Sequence, residues 1–146
     1  RRQELRGACI KLEQVGDIIV RNMLVHIQKL RDRGLAFTDE GWSELCAIHA
    51  AVLANAKLAF NVIVTRDLST ARMLVEQKDR LRELEKNASQ RHFDRLREGS
   101  PLSIETSTIH LDTIRDLKDI NSLLASLAYP ILEQSGQLRG SRLKKG

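Results

Sequence analysis

Helical periodicity runs through nearly the whole chain and is broken at three glycine-bearing points and at one tight connection without glycine. Gly34 closes one segment, Gly99-Ser100-Pro101 separates two more, and Gly136 ends the pattern. A glycine accepts the left-handed conformation that ends a helix, serine suits the N-cap, and proline suits the first helical position. Between the breaks, apolar residues recur in steps of three and four, and no stretch alternates in the manner of a strand. The spacing predicts helices over about 2–33, 39–65, 68–98 and 101–134, with a short loop at 34–38 and a tight connection at 66–69. At 1.5 Å per residue each helix is roughly 40 to 50 Å long. Long helices joined by short connections give an all-α, antiparallel, up-down-up-down four-helix bundle. The bundle takes residues 1–136 as one domain, and 137–146 form a basic C-terminal tail.

Aromatic residues make up 3% of the chain, so the core falls to Leu, Ile, Val and Ala. The first helix offers Leu5, Ala8, Leu12, Val15, Ile19, Met23 and Leu30 as its inner stripe. For the second, Trp42, Leu45, Cys46, Leu53, Ala56, Phe60 and Ile63 are expected inside, with Glu40, Glu44 and Asn55 opposite. The third turns Leu74, Leu81, Leu84 and Ala88 inward. The fourth turns Leu111, Ile114, Leu117, Leu124, Ala128 and Leu132 inward, and Pro130 bends its last turns. Cys9 and Cys46 fit no metal-ligand spacing and read as small reduced residues in or near the core. The apolar run 45–64 is interrupted by Asn55, Lys57 and Asn61, which makes it a poor membrane span. The chain opens at Arg1 inside a helical pattern, as a piece of a longer protein does.

Net charge is +5, yet 19 acids are mixed among the 24 Lys and Arg. Scattered basic residues and scarce stacking aromatics argue against nucleic acid as a partner. Only the tail is one-sided: Arg139, Arg142, Lys144 and Lys145 follow Glu133 with no acid among them. That tail reads as a solvated end, with anionic lipid as its alternative contact. Enzyme chemistry finds little support, because there is no Gly-rich phosphate loop, no nucleophile elbow and no Cys–His spacing.

Two constellations carry chemistry. Glu13 and Asp17 share a helix face one turn apart and could ligate a hard divalent cation or iron if another helix supplied carboxylates. The competing reading pairs Asp17 with Arg21. The histidines are the second: His26, His49, His92 and His110 lie one per helix, roughly 9 to 15 Å below one end of the bundle. They either bind a transition metal or form a hydrogen-bonded polar layer, and the layer is the preferred reading. Glu76, Asp79 and Glu83 read as a solvated face.

Leu12-Glu13-Gln14-Val15-Gly16-Asp17 resembles the Leu-Glu-Arg-Ile-Gly-Asp segments of PhoU-like helical domains. Residues 75–85 (Val-Glu-Gln-Lys-Asp-Arg-Leu-Arg-Glu-Leu-Glu), 89–96 (Ser-Gln-Arg-His-Phe-Asp-Arg-Leu) and 115–132 together resemble the C-terminal PhoU-like region of bacterial sodium/phosphate cotransporter family proteins. That resemblance implies a cytoplasmic domain following a membrane domain that carries phosphate with sodium. It also implies a metal-binding Glu-x-x-x-Asp motif at Glu13 and Asp17. The matching place on the fourth helix departs from the pattern, since Lys118 and Ser122 stand where the two acids would be. The function expected from the resemblance is regulatory or accessory. The implied partners are the transport domain of the same chain and a second copy, met through the apolar face at Ile10, Val20 and Leu24. Alternatives are a free-standing PhoU-like regulator and a metal-binding helical bundle.

Overall fold

The computed structural model describes residues 1–136 in full, and beyond them only the backbone of 138–139 and 142–143. The protein is an all-helical antiparallel bundle. The first arm consists of α1 (Arg2–Asp17), a π-helical turn (Ile18–Met23) and α2 (Leu24–Asp32), followed by α3 (Asp39–Thr65), α4 (Leu68–Arg97), α5 (Pro101–Ser126) and α6 (Tyr129–Gln134). Past Gly136, Leu138–Arg139 and Arg142–Leu143 form a two-residue antiparallel pair, where the sequence carries no strand signal. Lys144 and Lys145 of the expected tail lie outside the described residues.

The breaks have the chemistry their residues dictate. Gly34 adopts a left-handed φ of 62° and Gly99 one of 76°. After each, a backbone N–H reaches back to a helix carbonyl, Leu35 to Leu30 and Ser100 to Arg95. The Oγ1 of Thr38 caps α3 by accepting from the Gly41 N–H at 3.0 Å. Asp67 caps α4 by accepting from the Thr70 N–H at 2.8 Å. The α3–α4 connection is so short that Arg66, a non-glycine, takes φ 55°. At Pro130, which has no N–H to give, the last helix breaks into α5 and α6.

Helices α3, α4 and α5 pack on one another around Leu45, Ile48, Val52, Leu74, Leu81, Ile114, Leu117 and Leu124. The first arm lies mainly against α5, and none of its residues is fully buried. Ala8, Leu12, Val15, Ile18 and Met23 are the arm residues that pack on the core. Ile18, three residues after Val15, packs inward in place of the expected Ile19, and the wider π turn that starts there sets Met23, five residues on, as the next inward residue. Leu5 and Ile19 are exposed.

Helix α3 is rotated from its expected orientation. Its buried face is Glu44, Leu45, Ile48, Val52, Asn55, Ala59 and Val62. Trp42, Cys46, Leu53 and Phe60 are exposed, and so is Cys9. The helix carries two apolar stripes, and polar partners decide between them: Asn55 donates from Nδ2 to Asn121 Oδ1 at 2.7 Å in the core, and Glu44 meets Arg95. With mean hydropathy 1.6 over its most apolar window, α3 has the length and composition of a membrane span. Its buried polar pairs mark it as a core helix with a second, uncovered apolar face.

Candidate functional site

The polar groups gather at the end of the bundle that holds the 34–38 and 99–100 connections. The N-terminal part of α3 runs there beside the C-terminal part of α4, which brings Glu44 to Arg95 and Arg91. Arg95 grips the carboxylate with two hydrogen bonds, Nη1 to Oε1 at 2.8 Å and Nη2 to Oε2 at 3.1 Å. Arg91 Nε adds a third to Oε1 at 3.0 Å. Burial pushes the Glu44 pKa up, but the hydrogen bonds from Arg95 and Arg91 outweigh it and hold the carboxyl below its usual value. The Arg95 guanidinium is in turn held above its ordinary value by Glu44.

His110 on α5 and His92 on α4 stack at this end with ring centroids 4.6 Å apart. The His92 Nε2 lies 2.9 Å from Ser107 Oγ. The His110 Nε2 has no hydrogen-bond partner and sits 3.7 Å from Glu44 Oε2. Phe37 meets the His110 ring edge-on at 5.6 Å. Burial, the neighbouring His92 and Arg95 push the His110 pKa down to about 4, against a smaller opposing pull from Glu44. Burial likewise lowers His92, with Arg95 adding to it. Gly41 makes a close approach here: a Cβ on it would come within 3.1 Å of Thr38 Oγ1 and 3.3 Å of His110 Cε1, so those side chains would have to give by a few tenths of an ångström.

The other two histidines do not join this stack. His26 on the arm reaches Asp116 of α5, Nε2 to Oδ2 at 2.9 Å, and Asn22 donates to Oδ1 of the same carboxylate at 3.2 Å. His49 is exposed on α3. Both line a largely apolar groove of about 430 Å³ between the arm and α3, walled by Met23, Ile27, Leu30, Phe37, Trp42 and Leu45. The His26 Nδ1 is buried there with no hydrogen-bond partner. Glu13 and Asp17 stand exposed on the arm, with Arg21 Nε 4.0 Å from Asp17. Among the described residues, no three His, Cys, Asp or Glu side chains converge as a metal site. Ile10, Val20 and Leu24 are exposed.

Sequence reasoning placed Glu44 on the outside and did not single out Arg95 or Asp116. A signal for Glu44 existed: it continues the 48, 52, 55, 59, 62 series backward by one turn. Asp116 sits between Ile114 and Leu117 on a helix with few solvent-facing positions, which marks it as a paired acid.

The three mutually packed helices are also the part with a known counterpart. The family model for the PhoU domain matches residues 45–131, from early α3 into α6. The chain belongs to the PhoU domain family. This PhoU domain is 40% identical over 134 residues to a Salmonella typhimurium protein named "Putative inorganic phosphate export protein YjbB", a match covering 92% of this chain and 25% of the relative. It is 37% identical over 137 residues to the Escherichia coli K12 protein of the same name, covering 94% of this chain and 25% of the relative. The chain therefore spans about a quarter of the length of the curated relatives it matches. No solved structure matches it significantly.

Proposed function

We propose that this PhoU domain is the regulatory domain of a sodium-dependent phosphate transporter, held on the cytoplasmic side of the membrane and outside the transport path. The observation that carries the reading is the coverage. Nearly all of this chain aligns with relatives named for phosphate export, and three quarters of each relative's length lies beyond the match. In this reading a transport domain occupies that length. The sodium coupling and the cytoplasmic placement rest on the resemblance of residues 75–85, 89–96 and 115–132 to sodium/phosphate cotransporter proteins. The domain has no reaction of its own in this reading. It acts by contact, through the exposed apolar residues Ile10, Val20 and Leu24 on the arm.

The arm suits that role. It is fastened to α5 by a few side-chain contacts, His26 and Asn22 on Asp116 and Lys11 on the Ser126 carbonyl, and by a partly buried apolar stripe. A helix without fully buried residues can shift at little energetic cost. Contact on its outer face would be passed to the core through His26 and Asp116.

Fractionation of source cells with an antibody against this chain tests the fusion. A band far larger than 16.6 kDa in carbonate-washed membranes is expected. A soluble band near that size overturns the reading in favour of a free-standing PhoU-like regulator. Phosphate flux into vesicles holding the intact protein tests the coupling, and flux indifferent to sodium removes that clause.

A further inference from the structure

The outer face of α3 is patterned as strictly as its core face. Trp42, Cys46, His49, Leu53, Lys57, Phe60 and Val64 are all exposed. They follow one another in steps of four, three, four, four, three and four residues, so they share one side of the helix. The series reads the same in both directions about Leu53. From Leu45 to Thr65 the helix holds one Lys and no Arg, Asp or Glu, although just over half of those positions are exposed.

This face is too large and too apolar to be ordinary surface. Val64 is 75% exposed, Trp42 60%, Phe60 55% and Leu53 49%. With Cys46, His49 and Lys57 the exposed strip, apolar and polar together, amounts to roughly 800 Å², about what one partner contributes to a standard interface, and its apolar part alone reaches the upper part of the range of roughly 300 to 600 Å² for the largest patch of a typical monomer.

We propose that a second copy of this chain covers the strip, with α3 packed antiparallel on α3 and a two-fold axis through Leu53. In that register Trp42 meets Val64 of the second copy, Cys46 meets Phe60, and Leu53 meets itself. His49 falls opposite Lys57, where a neutral imidazole nitrogen can accept from the ammonium. A parallel pairing would set Lys57 against Lys57 and leave the palindrome without purpose. The antiparallel arrangement is isologous and closes at two copies. It uses neither the core contacts nor the Ile10, Val20 and Leu24 face, so it stands apart from the transport reading.

The test combines solution mass with site-directed cross-linking of the 146-residue chain. Sedimentation equilibrium is expected to give twice 16.6 kDa. In a Cys9→Ser background, Cys46 alone does not cross-link, because the two Cys46 residues lie about 20 Å apart in this register. Adding Phe60→Cys yields disulfide-linked dimers between positions 46 and 60. Leu53→Cys, with Cys9 and Cys46 both changed to Ser, links to itself. Leu53→Glu places two carboxylates on the axis and weakens the dimer at least about 30-fold, with helicity unchanged and melting no longer dependent on protein concentration. A monomeric mass throughout the micromolar range overturns the proposal. So does preferential Cys46–Cys46 linkage, or a dimer indifferent to Leu53→Glu. A monomer that binds anionic phospholipid vesicles through Leu53 and Phe60 would also overturn it and assign the strip to a lipid surface.

Discussion

A buried carboxylate is tolerated here because three guanidinium hydrogen bonds meet it. Glu44 and Arg95 are each at least nine-tenths buried, and the bidentate fork matches carboxylate geometry in a way a lysine cannot. Removing one partner is worse than removing both. Arg95→Met leaves a buried charge with only Arg91 and should cost about 3 to 5 kcal/mol in urea unfolding, while Glu44→Leu with Arg95→Met recovers much of it. His110 gives the cluster a pH dependence. Its folded pKa is about 4 against an ordinary 6.5. Between those values the unfolded chain binds a proton that the folded chain refuses. Stability is therefore complete above pH 6.5 and falls as pH drops toward 4. The shift corresponds to about 3 kcal/mol. Glu44 acts in the same sense, losing its contribution as pH falls through its lowered pKa. His110→Gln should flatten the melting-temperature profile between pH 6.5 and 4.5, and an unchanged slope would show that another group sets it.

At the scale of elements, the arm and the three-helix core differ in kind. Helices α3, α4, α5 and α6, with the link between the last two, supply the fully buried apolar side chains, and the arm supplies only half-buried ones. The π turn at Ile18–Met23 lets one continuous arm keep Leu12 and Val15 on the core before it, Ile18 and Met23 at its two ends, and His26 and Leu30 facing inward after it. The Asp116 clasp is the polar fastening of that second half. His26→Ala leaves Asp116 with Asn22 alone and should cost about 1 to 3 kcal/mol. Hydrogen exchange is the discriminating readout. Amides of residues 2–32 should lose protection while those of α3, α4 and α5 keep theirs, and uniform loss would mean the arm and core unfold together.

Among the described residues, two exposed apolar surfaces have proposed partners: a transport domain for the arm face at Val20 and Leu24, and a second copy for the α3 face. They can be separated by mutation. Val20→Asp with Leu24→Asp in the intact transporter should alter phosphate flux and weaken recovery of the isolated domain on transporter membranes by at least tenfold, about 1.4 kcal/mol. The solution dimer should persist in the same variant, because α3 is untouched. Loss of both together would mean that the two faces form one surface.

The helix boundaries were legible because local chemistry decides them. Gly34, Thr38, Asp67, Gly99, Ser100 and Pro101 each act within a turn of their own position, so α3, α4 and the start of α5 fall within about a residue of the sequence expectation. The inner faces of α4 and α5 were legible too, since each helix has one apolar stripe. The family was legible from combined segments, and the resemblance led to the PhoU domain that the comparisons show. The rotation of α3 was not legible. With two apolar stripes of similar length, hydrophobic periodicity has two solutions, and only Arg95 and Asn121 on neighbouring helices select the one that buries Glu44 and Asn55. The same holds for the histidines. Depth along each helix put all four near one end, but rotation and tertiary contact sent His92 and His110 to a common stack, His26 to Asp116 and His49 to the surface. Sequence fixes what each helix can bury; which of the candidates it does bury depends on partners that are distant in sequence, and that was settled in the tertiary structure.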